Sequence, residues 1–541
     1  MKSRKKVVVG VSGDIISGLP DALICHILSF LPTKEAASTT VLAKRWKPLL
    51  AFVPNLNFDD SIYFHPRARR NKYSKSYESF MSFVDSVLAL QAKTKTPLKR
   101  FHVKCEDVVD QSWVLEWIPK VLKRGVLDID LHITSSRNYC ENSSFYSLPS
   151  KIFVSKTLVR LKIQFQDGVH IDVEGGVSLP KLKTLHLDYF KIETSMLNKL
   201  LSGCHALEEL VLANLMWADS SEDEACHVSV SIPTLKRLNF CRSEDFYEGE
   251  FHFYEDYDEE NINEGVSLSF DNPNLVYLEY SDVIVDKYKQ VSFDSLVEAN
   301  LRLRKTPDQD ETDKVNVTKL LMGIHNVKIL YLSDDTLEVL SCCRERIPVF
   351  DNLLELTIKT TPYVGWKSLP PLLKSCPSLE TLVFEGLHHK YTKRCGDKDG
   401  CLCKYENHWG TKKKKKNVRT CLSSSLVKVL KILKFGETFE DENEDGLDVD
   451  HDDYDDEDAV SCDEVGGVVE EQIEHVKHFL KTMPVLKQVI LYYNTPKDED
   501  VMKVFKKLEK LPRVASANCN VQITSKNLSL SSTSTKRGTL L

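Results

Sequence analysis

One six-residue pattern, apolar-x-x-apolar-x-apolar, recurs along most of this 541-residue chain and restricts its fold more than any other feature. From residue 158 onward, successive copies lie 24, 25 and 28 residues apart, and two steps of 26 residues follow residue 327. Clear copies begin at Leu158, Leu182, Leu207, Leu235, Leu275, Val327, Leu353 and Leu379. Looser copies begin at Leu98, Val126, Leu296, Val427 and Leu486, and Ala299 makes the copy at Leu296 the poorest.

The repeat length predicts a solenoid of stacked units. In each copy the last two apolar residues point inward from a short strand, and the first anchors the preceding turn. One unit cannot bury its apolar side alone, whereas stacked units can, and their strands then form a parallel sheet on the concave face of an arc. Residues 195–201 and 370–374 favour helices between strands, with Gly203 placed to stop the first of them. The predicted fold class is α/β.

A doubly wound α/β domain is the alternative fold. Such a domain would space its strands more widely and less evenly, and would carry a glycine-rich phosphate loop after an early strand. Gly175 and Gly176 do not form such a loop, because they lack a third glycine and a clear helix after them. The even spacing therefore favours the solenoid.

A separate apolar segment lies near the N-terminus, where residues 19–46 read LPDALICHILSFLPTKEAASTTVLAKRW. Leu23, Ile27 and Leu31 lie four residues apart, and Ile24 and Leu28 fill the adjoining row, so one helix carries a wide apolar face. A helical hairpin of roughly 40 residues is close to the smallest size that forms its own core. We therefore expect its surplus apolar surface to be covered by the rest of the chain or by a partner.

The same segment predicts two further helices. Pro32 is expected to end the first helix, and Thr33 to cap the second. Leu42, Trp46 and Leu49 are spaced i, i+4 and i+7, which predicts one apolar face on the third helix.

This segment resembles the F-box. The matching residues are Leu19-Pro20, Leu23, Ile27-Leu28, Phe30-Leu31-Pro32, Val41-Leu42, Lys44-Arg45-Trp46 and Leu49, while Ala43 replaces the usual Ser or Cys. The resemblance implies docking onto a Skp-type adaptor, and through it onto a cullin ubiquitin ligase. The residues expected to form the docking surface or its immediate support are Leu19, Pro20, Leu23, Ile27, Leu28, Leu31, Pro32, Leu42 and Trp46.

The repeats resemble leucine-rich repeats of the irregular kind that often accompany F-boxes, and the C-terminal segment resembles the FBD domain. The pieces similar to FBD domains are residues 421–437, 470–494 and 507–523. Their pattern predicts a repeat-like strand, then a helix over about 471–482, a strand over 486–492, a helix near 498–509 and a final strand. Such a segment would cap the last repeat, whose apolar face would otherwise meet water.

These assignments divide the chain into regions: a disordered basic tail (1–13), the F-box (14–60), the repeats (95–400), the FBD-like domain (402–523) and a disordered tail (527–541). Residues 440–458 hold thirteen Asp or Glu and no Lys or Arg, in a chain of net charge -7. We expect a disordered insertion over 438–466, because this stretch has too little apolar content to fold. The intervals 235–275 and 379–427 are also interpreted as surface insertions.

Other motifs suggest no catalytic chemistry and no cofactor. Cys395, Cys401, Cys403 and His408 lack the paired spacing of a zinc site, so free thiols are expected instead. No nucleophile elbow, phosphate loop or metalloprotease motif occurs, and no apolar run approaches membrane-spanning length. The Lys412–Lys416 run lacks interleaved aromatics, so we expect no nucleic-acid partner. Fifteen scattered cysteines fit a reducing compartment, the nucleus and/or the cytoplasm.

The resemblances imply a non-catalytic substrate receptor of a Skp–cullin–F-box ubiquitin ligase, with the repeats binding a target protein. The alternative is a binding scaffold that uses the repeats without directing degradation. The expected client-facing positions have mixed charge and identify no target; they include Lys183, Thr184, His186, Glu208, Glu209, Lys236 and Glu380.

Overall fold

The computed structural model describes most of the chain, in ranges separated by gaps. These ranges are 18–41, 44–60, 73–94, 96–105, 111–133, 146–173, 175–218, 227–242, 266–285, 287–305, 316–343, 346–364, 366, 368–388, 422–437 and 465–532. The chain forms two compact units. Unit 1 comprises residues 1–221 with 242–244, and unit 2 comprises residues 222–241 and 245–541.

Unit 1 begins with short helices and continues as alternating strands and helices. Its α-helices are α1 (Asp21–Leu28), α2 (Thr33–Ser38), α3 (Tyr73–Ala92), α4 (Gln111–Leu122) and α5 (Thr194–Ser202), and its 3-10 helices include Thr39–Val41, Lys47–Phe52 and Ser150–Val154. Its strands are β1 (Asn55–Asp59), β2 (Arg100–Cys105), β3 (Asp128–Ile133), β4 (Tyr146–Ser147), β5 (Arg160–His170), β6 (Thr184–Ile192) and β7 (Glu209–Trp217).

The unit 1 strands form a parallel sheet in the order β1-β2-β3-β5-β6-β7, with β4 beside the end of β5. The register aligns equivalent repeat positions, so Leu161 pairs with Leu185, and Leu185 with Leu210. All three side chains are fully buried. The repeat spacing and its inward leucine rows are therefore confirmed.

Unit 2 continues the alternation. Its strands are β8 (His227–Val230), β9 (Arg237–Arg242), β10 (Ser267–Asp271), β11 (Tyr277–Val283), β12 (Lys287–Ser292), β13 (Glu298–Arg304), β14 (Ile329–Leu332), β15 (Glu355–Lys359), β16 (Thr381–Glu385), β17 (Val429–Leu433), β18 (Gln488–Tyr492), β19 (Asn520–Thr524) and β20 (Ser529–Ser532). Its helices are α6 (Thr318–Gly323), α7 (Asp334–Cys342), α8 (Leu369–Lys374), α9 (Val465–Thr482), α10 (Asp498–Glu509) and the 3-10 turn Leu422–Ser424.

The main sheet of unit 2 is a parallel ladder in the order β9-β11-β13-β14-β15-β16-β17-β18-β19. Strand β20 pairs with β19 in the antiparallel direction. Even the copy at Leu296, which matches the pattern least well, keeps the common register. Its Ala299 is fully buried and pairs with Leu278 and Leu330. The ladder confirms the α/β repeat fold.

Three of the connections in unit 2 are strands, so the expectation that the chain returns through helices is wrong there. Strands β8, β10 and β12 form a second parallel sheet, and each precedes a strand of the main sheet. Phe270 of the second sheet contacts Phe240 and Tyr280 of the main sheet, with ring centroids 6.2 and 5.7 Å apart. Alternating apolar residues and large rings fill this layer, which favours strands over helices. Residues 243–265 lie outside the described ranges.

Gly203 follows α5 as predicted, but its backbone is not left-handed, with φ −86°. Glycine is required because a Cβ there would lie 2.4 Å from Val177 Cγ1. Gly323 occupies the same kind of position in unit 2, where a Cβ would lie 2.2 Å from Val291 Cγ1. Close packing of one repeat on the next, rather than a turn conformation, explains both glycines.

The C-terminal segment extends the main sheet through β17, β18 and β19, with α9 and α10 between them. Helix α9 starts at Val465, earlier than predicted, so the disorder expected over 438–466 is wrong for its last two residues. Helix α10 has the predicted bounds. The expected disorder after residue 526 is wrong for Ser529–Ser532, because β20 pairs with β19. Residues 1–13, the acidic run and the Cys395–His408 cluster lie outside the described ranges.

Candidate functional site

The N-terminal helices pack on the turn that precedes the sheet. Ile24 and Leu28 are buried on one side of α1. Leu49 and Leu50 of the 3-10 helix Lys47–Phe52 are also buried. The Cys25 thiol donates a hydrogen bond to the Leu49 carbonyl oxygen at 3.6 Å. The inner row of α1 therefore belongs to the protein's own core.

Four large apolar side chains of the N-terminal segment are exposed, two on α1 and two after its end. The exposed fraction is 49% for Leu23, 44% for Ile27, 75% for Phe30 and 88% for Val41. We call these four residues the N-terminal apolar surface. Several large apolar side chains exposed within one short segment are typical of a surface that another protein covers.

The predicted docking residues fall into three groups. Pro20, Leu23 and Ile27 are exposed, and Leu19, Leu31 and Pro32 are half-buried. Leu28 and Trp46 are buried. Leu42 lies outside the described residues.

Phe30 and Val41 match the F-box pattern but are absent from the predicted docking residues. Phe30 lies three residues after Ile27, and its ring contacts His26 with centroids 4.8 Å apart. Helical spacing relative to Leu23 and Ile27 could have identified Phe30. Val41 ends a 3-10 turn, and no periodic signal marks its exposure.

Two local predictions need correction. Thr33 does not cap α2; it is the first residue of that helix, and its hydroxyl accepts a hydrogen bond from the Asn57 backbone N–H at 2.8 Å. The segment after Trp46 is a 3-10 helix, not an α-helix.

Arg45 joins the two ends of the helical segment. Its guanidinium donates to the Asp21 carboxylate at 2.6 Å and to the Leu19 carbonyl oxygen at 2.9 Å. Both charged side chains are exposed, so the pair contributes little stability and serves mainly to orient the start of α1.

A buried amide joins the helical segment to the sheet within unit 1. The Gln91 side chain of α3 donates to the carbonyl oxygens of Leu50 at 3.2 Å and Val53 at 2.9 Å. Its own oxygen accepts a hydrogen bond from Arg124, which follows α4, and Arg124 also donates to the Thr96 carbonyl oxygen at 2.8 Å. The N-terminal apolar surface is thus carried on an element fixed to the first repeats.

Burial and a nearby negative charge both act on the thiol of Cys25 in α1. Burial, followed by the nearby Asp21 charge, raises the pKa of the Cys25 thiol, so this thiol stays protonated at neutral pH.

Within the described ranges, no group of three or more His, Cys, Asp or Glu side chains is placed to hold a metal ion. Nor does any helix of that part of the chain have the length and apolar character needed to cross a membrane.

Comparison with known proteins identifies the parts of the chain. An F-box domain model matches residues 16–55, and a model of the leucine-rich repeats of an FBD-associated F-box protein matches residues 114–252. A putative F-box/LRR-repeat protein of Arabidopsis thaliana, At5g41840, is 99% identical over the full length of both chains. The chain belongs to the F-box/LRR-repeat family.

Other relatives support the same assignment. The putative F-box/LRR-repeat protein At4g00320 is 62% identical over 98% of this chain and 100% of its own. The putative F-box/FBD/LRR-repeat protein At3g59240 is 45% identical over 94% of this chain and 89% of its own. Both are Arabidopsis thaliana proteins. The N-terminal apolar surface therefore lies on the F-box of a repeat protein whose family includes FBD members.

Proposed function

We propose that this protein is the substrate-recognition subunit of a Skp–cullin–F-box ubiquitin ligase. The N-terminal apolar surface carries the proposal, because four large apolar side chains lie exposed on the F-box while its inner row is buried. A partner that covers this surface removes it from water. This burial stabilises the complex by about 25 cal/mol per Å² of apolar area. The expected partner is a Skp-type adaptor, which links the F-box to a cullin.

The receptor performs no covalent chemistry in this proposal. The F-box holds the adaptor, the repeat sheet holds a client protein, and the ligase transfers ubiquitin to client lysines. The contribution of the chain is proximity, which raises the effective concentration of those lysines near the ubiquitin-carrying enzyme. We propose that it acts in the nucleus and/or the cytoplasm, where such a ligase works.

The adaptor contact is tested with the full chain and a purified Skp-type adaptor. Leu23→Asp places a charge on the N-terminal apolar surface without disturbing the core, and we expect adaptor affinity to fall by about 2 kcal/mol or more. Leu426→Asp is the matched control, because Leu426 is similarly exposed but belongs to unit 2. Equal adaptor affinity of both variants and the unchanged protein would reject the proposal.

A second measurement separates the ligase role from a non-degradative scaffold. Cullin is added to the preformed complex of this chain and its adaptor, and complex size is followed by light scattering. A ternary complex that forms with the unchanged chain but not with Leu23→Asp supports the ligase role. A complex that binds adaptor but excludes cullin would favour the scaffold.

A further inference from the structure

The open face of the unit 1 sheet carries a fixed pair of arginines. Arg100, Asp128 and Arg160 occupy the same register position on the adjacent strands β2, β3 and β5. The Arg160 guanidinium binds both Asp128 oxygens, with Nε–Oδ1 and Nη2–Oδ2 distances of 2.9 Å. Arg100 Nε donates to Asp128 Oδ2, also at 2.9 Å. One carboxylate thus holds two guanidinium groups in place.

The two guanidinium groups remain accessible to a ligand. The side chain of Arg100 is 53% exposed and that of Arg160 is 41% exposed, whereas Asp128 is only 15% exposed. Hydrogen bonding to Asp128 raises the pKa of Arg160 against the effect of burial, which favours its charged form. An arginine carries five donors in a rigid fork, and Asp128 uses only some of them.

Charges of both signs surround the arginine pair: Lys162 adds a cation, whereas Asp130 and Glu209 act on Arg160 alongside Asp128. Lys162 lies two residues after Arg160 on the same face, and its charge, with burial as the larger cause, lowers the pKa of His186. Asp130 Oδ2 lies 3.2 Å from His102 Nδ1. Two other acids are engaged by neighbours in the sheet: Asp188 accepts from Asn214, and Glu209 from Thr184.

We propose that Arg100 and Arg160 bind an anionic group, a phosphate or a carboxylate, carried by a peptide segment of the client. Preorganised guanidinium forks bind phosphate and carboxylate oxygens through charge-assisted hydrogen bonds, and their ordering by Asp128 lowers the entropy lost on binding. The inference rests on the proposed substrate-receptor function and gives it a client chemistry. The Asp128 carboxylate acts as a positioning residue, because it orients the arginines rather than contacting the client.

The probes are three fluorescent peptide pools with random flanking residues around a central phosphoserine, aspartate or serine. Each pool is titrated by fluorescence polarisation into the full chain bound to its adaptor. We expect the phosphoserine or the aspartate pool to bind at least tenfold more tightly than the serine pool, and the stronger of the two identifies the anion. Equal affinity for all three pools would overturn the proposal.

Variants test the geometry. The double variant Arg100→Gln/Arg160→Gln should lose the preference for the anionic pool, while Arg302→Gln retains it, because Arg302 is a similarly exposed arginine of the unit 2 sheet. Asp128→Asn distinguishes orientation of the arginines from net charge. The substitution removes a negative charge, which by itself would strengthen anion binding, but it also removes the carboxylate that holds the two guanidinium groups in place. Weaker anion binding by Asp128→Asn supports the inference; stronger binding, or an equal loss with Arg302→Gln, contradicts it.

Adaptor affinity is measured on the same samples. Leu23→Asp should leave peptide binding by the chain unchanged, so failure of the adaptor proposal and failure of the anion-binding proposal give different results. Circular dichroism of each variant confirms that the repeat fold is retained before affinities are compared.

Discussion

The Arg124 guanidinium donates a hydrogen bond to the Gln91 side-chain oxygen at 2.5 Å, while the Gln91 amide holds two F-box carbonyl groups. Gln91 is fully buried. This amide therefore couples the F-box to the first repeats by hydrogen bonds rather than by apolar contact alone.

Gln91→Leu should destabilise unit 1 by roughly 2–4 kcal/mol, because it leaves buried backbone carbonyls and a guanidinium without their partner. Urea unfolding followed by tryptophan fluorescence measures the change. Gln488→Leu is the matched control, since Gln488 lies half-buried on the open face of unit 2 and bonds to Gln522. A Gln91 variant as stable as the control would show that the amide contributes nothing to the junction.

Leu28→Ala should mainly lower folding stability, whereas Leu23→Ala should mainly weaken adaptor binding. Leu28 is buried, so its truncation is expected to cost about 2–5 kcal/mol of folding stability. Leu23 is half exposed, so its truncation should change stability by less than about 1 kcal/mol while weakening adaptor binding. Denaturation and adaptor titration on both proteins check the pair, and a large stability loss for Leu23→Ala would mean that this side chain belongs to the core.

Gly203→Ala should destabilise the protein by about 1–3 kcal/mol, because the new methyl group overlaps Val177. The double variant Gly203→Ala/Val177→Ala should recover part of this loss. Gly175→Ala supplies the control, since a methyl group at that position would meet nothing within 4 Å and the backbone there is not left-handed. Thermal unfolding of these variants, of Val177→Ala and of the unchanged protein tests the close-packing explanation, and additive effects of the two substitutions would argue against it.

Glu385 should contribute to stability above its unfolded-state pKa of about 4.5 and lose that contribution as pH falls below it. Burial pushes its pKa up, but Lys434 at 2.9 Å and the Tyr331 hydroxyl at 3.1 Å favour the ionised form, and the net shift is downward. A depressed folded-state pKa means that acid protonates the group at a cost in stability.

Comparing the unfolding midpoints of the unchanged protein and Glu385→Gln from pH 7 to pH 3 tests this assignment. The difference between the two proteins should be largest near neutrality and shrink as the pH falls. A constant difference over the whole range would show that ionisation of Glu385 does not matter.

The repeat ladder was predictable because its signal is physical and local. Leu161, Leu185 and Leu210 must point inward whatever the connecting segments do, so their spacing reveals the strands. The layer formed by β8, β10 and β12 was not predicted, because short apolar runs such as 227–230 fit either a strand or a helix until their packing partners are known.

The F-box site was predictable as a segment but not residue by residue. The apolar pattern identified α1, yet it could not separate buried Leu28 from exposed Leu23, since both belong to the same wide apolar face. Exposure depends on where the 3-10 helix Lys47–Phe52 packs, and that contact is tertiary. Thr33 likewise has the composition of a cap but instead bonds to the edge of β1.

The antiparallel direction of β20 restricts where new repeats can be added to this protein during evolution. Every earlier pairing in the main ladder of unit 2 is parallel, so a copied repeat inserted between β14 and β16 meets neighbours of matching direction. A copy appended after β20 meets an antiparallel strand instead and cannot continue the ladder. New repeat surface can therefore arise by internal duplication, whereas continuing the parallel pairing beyond β19 would first require removal of β20.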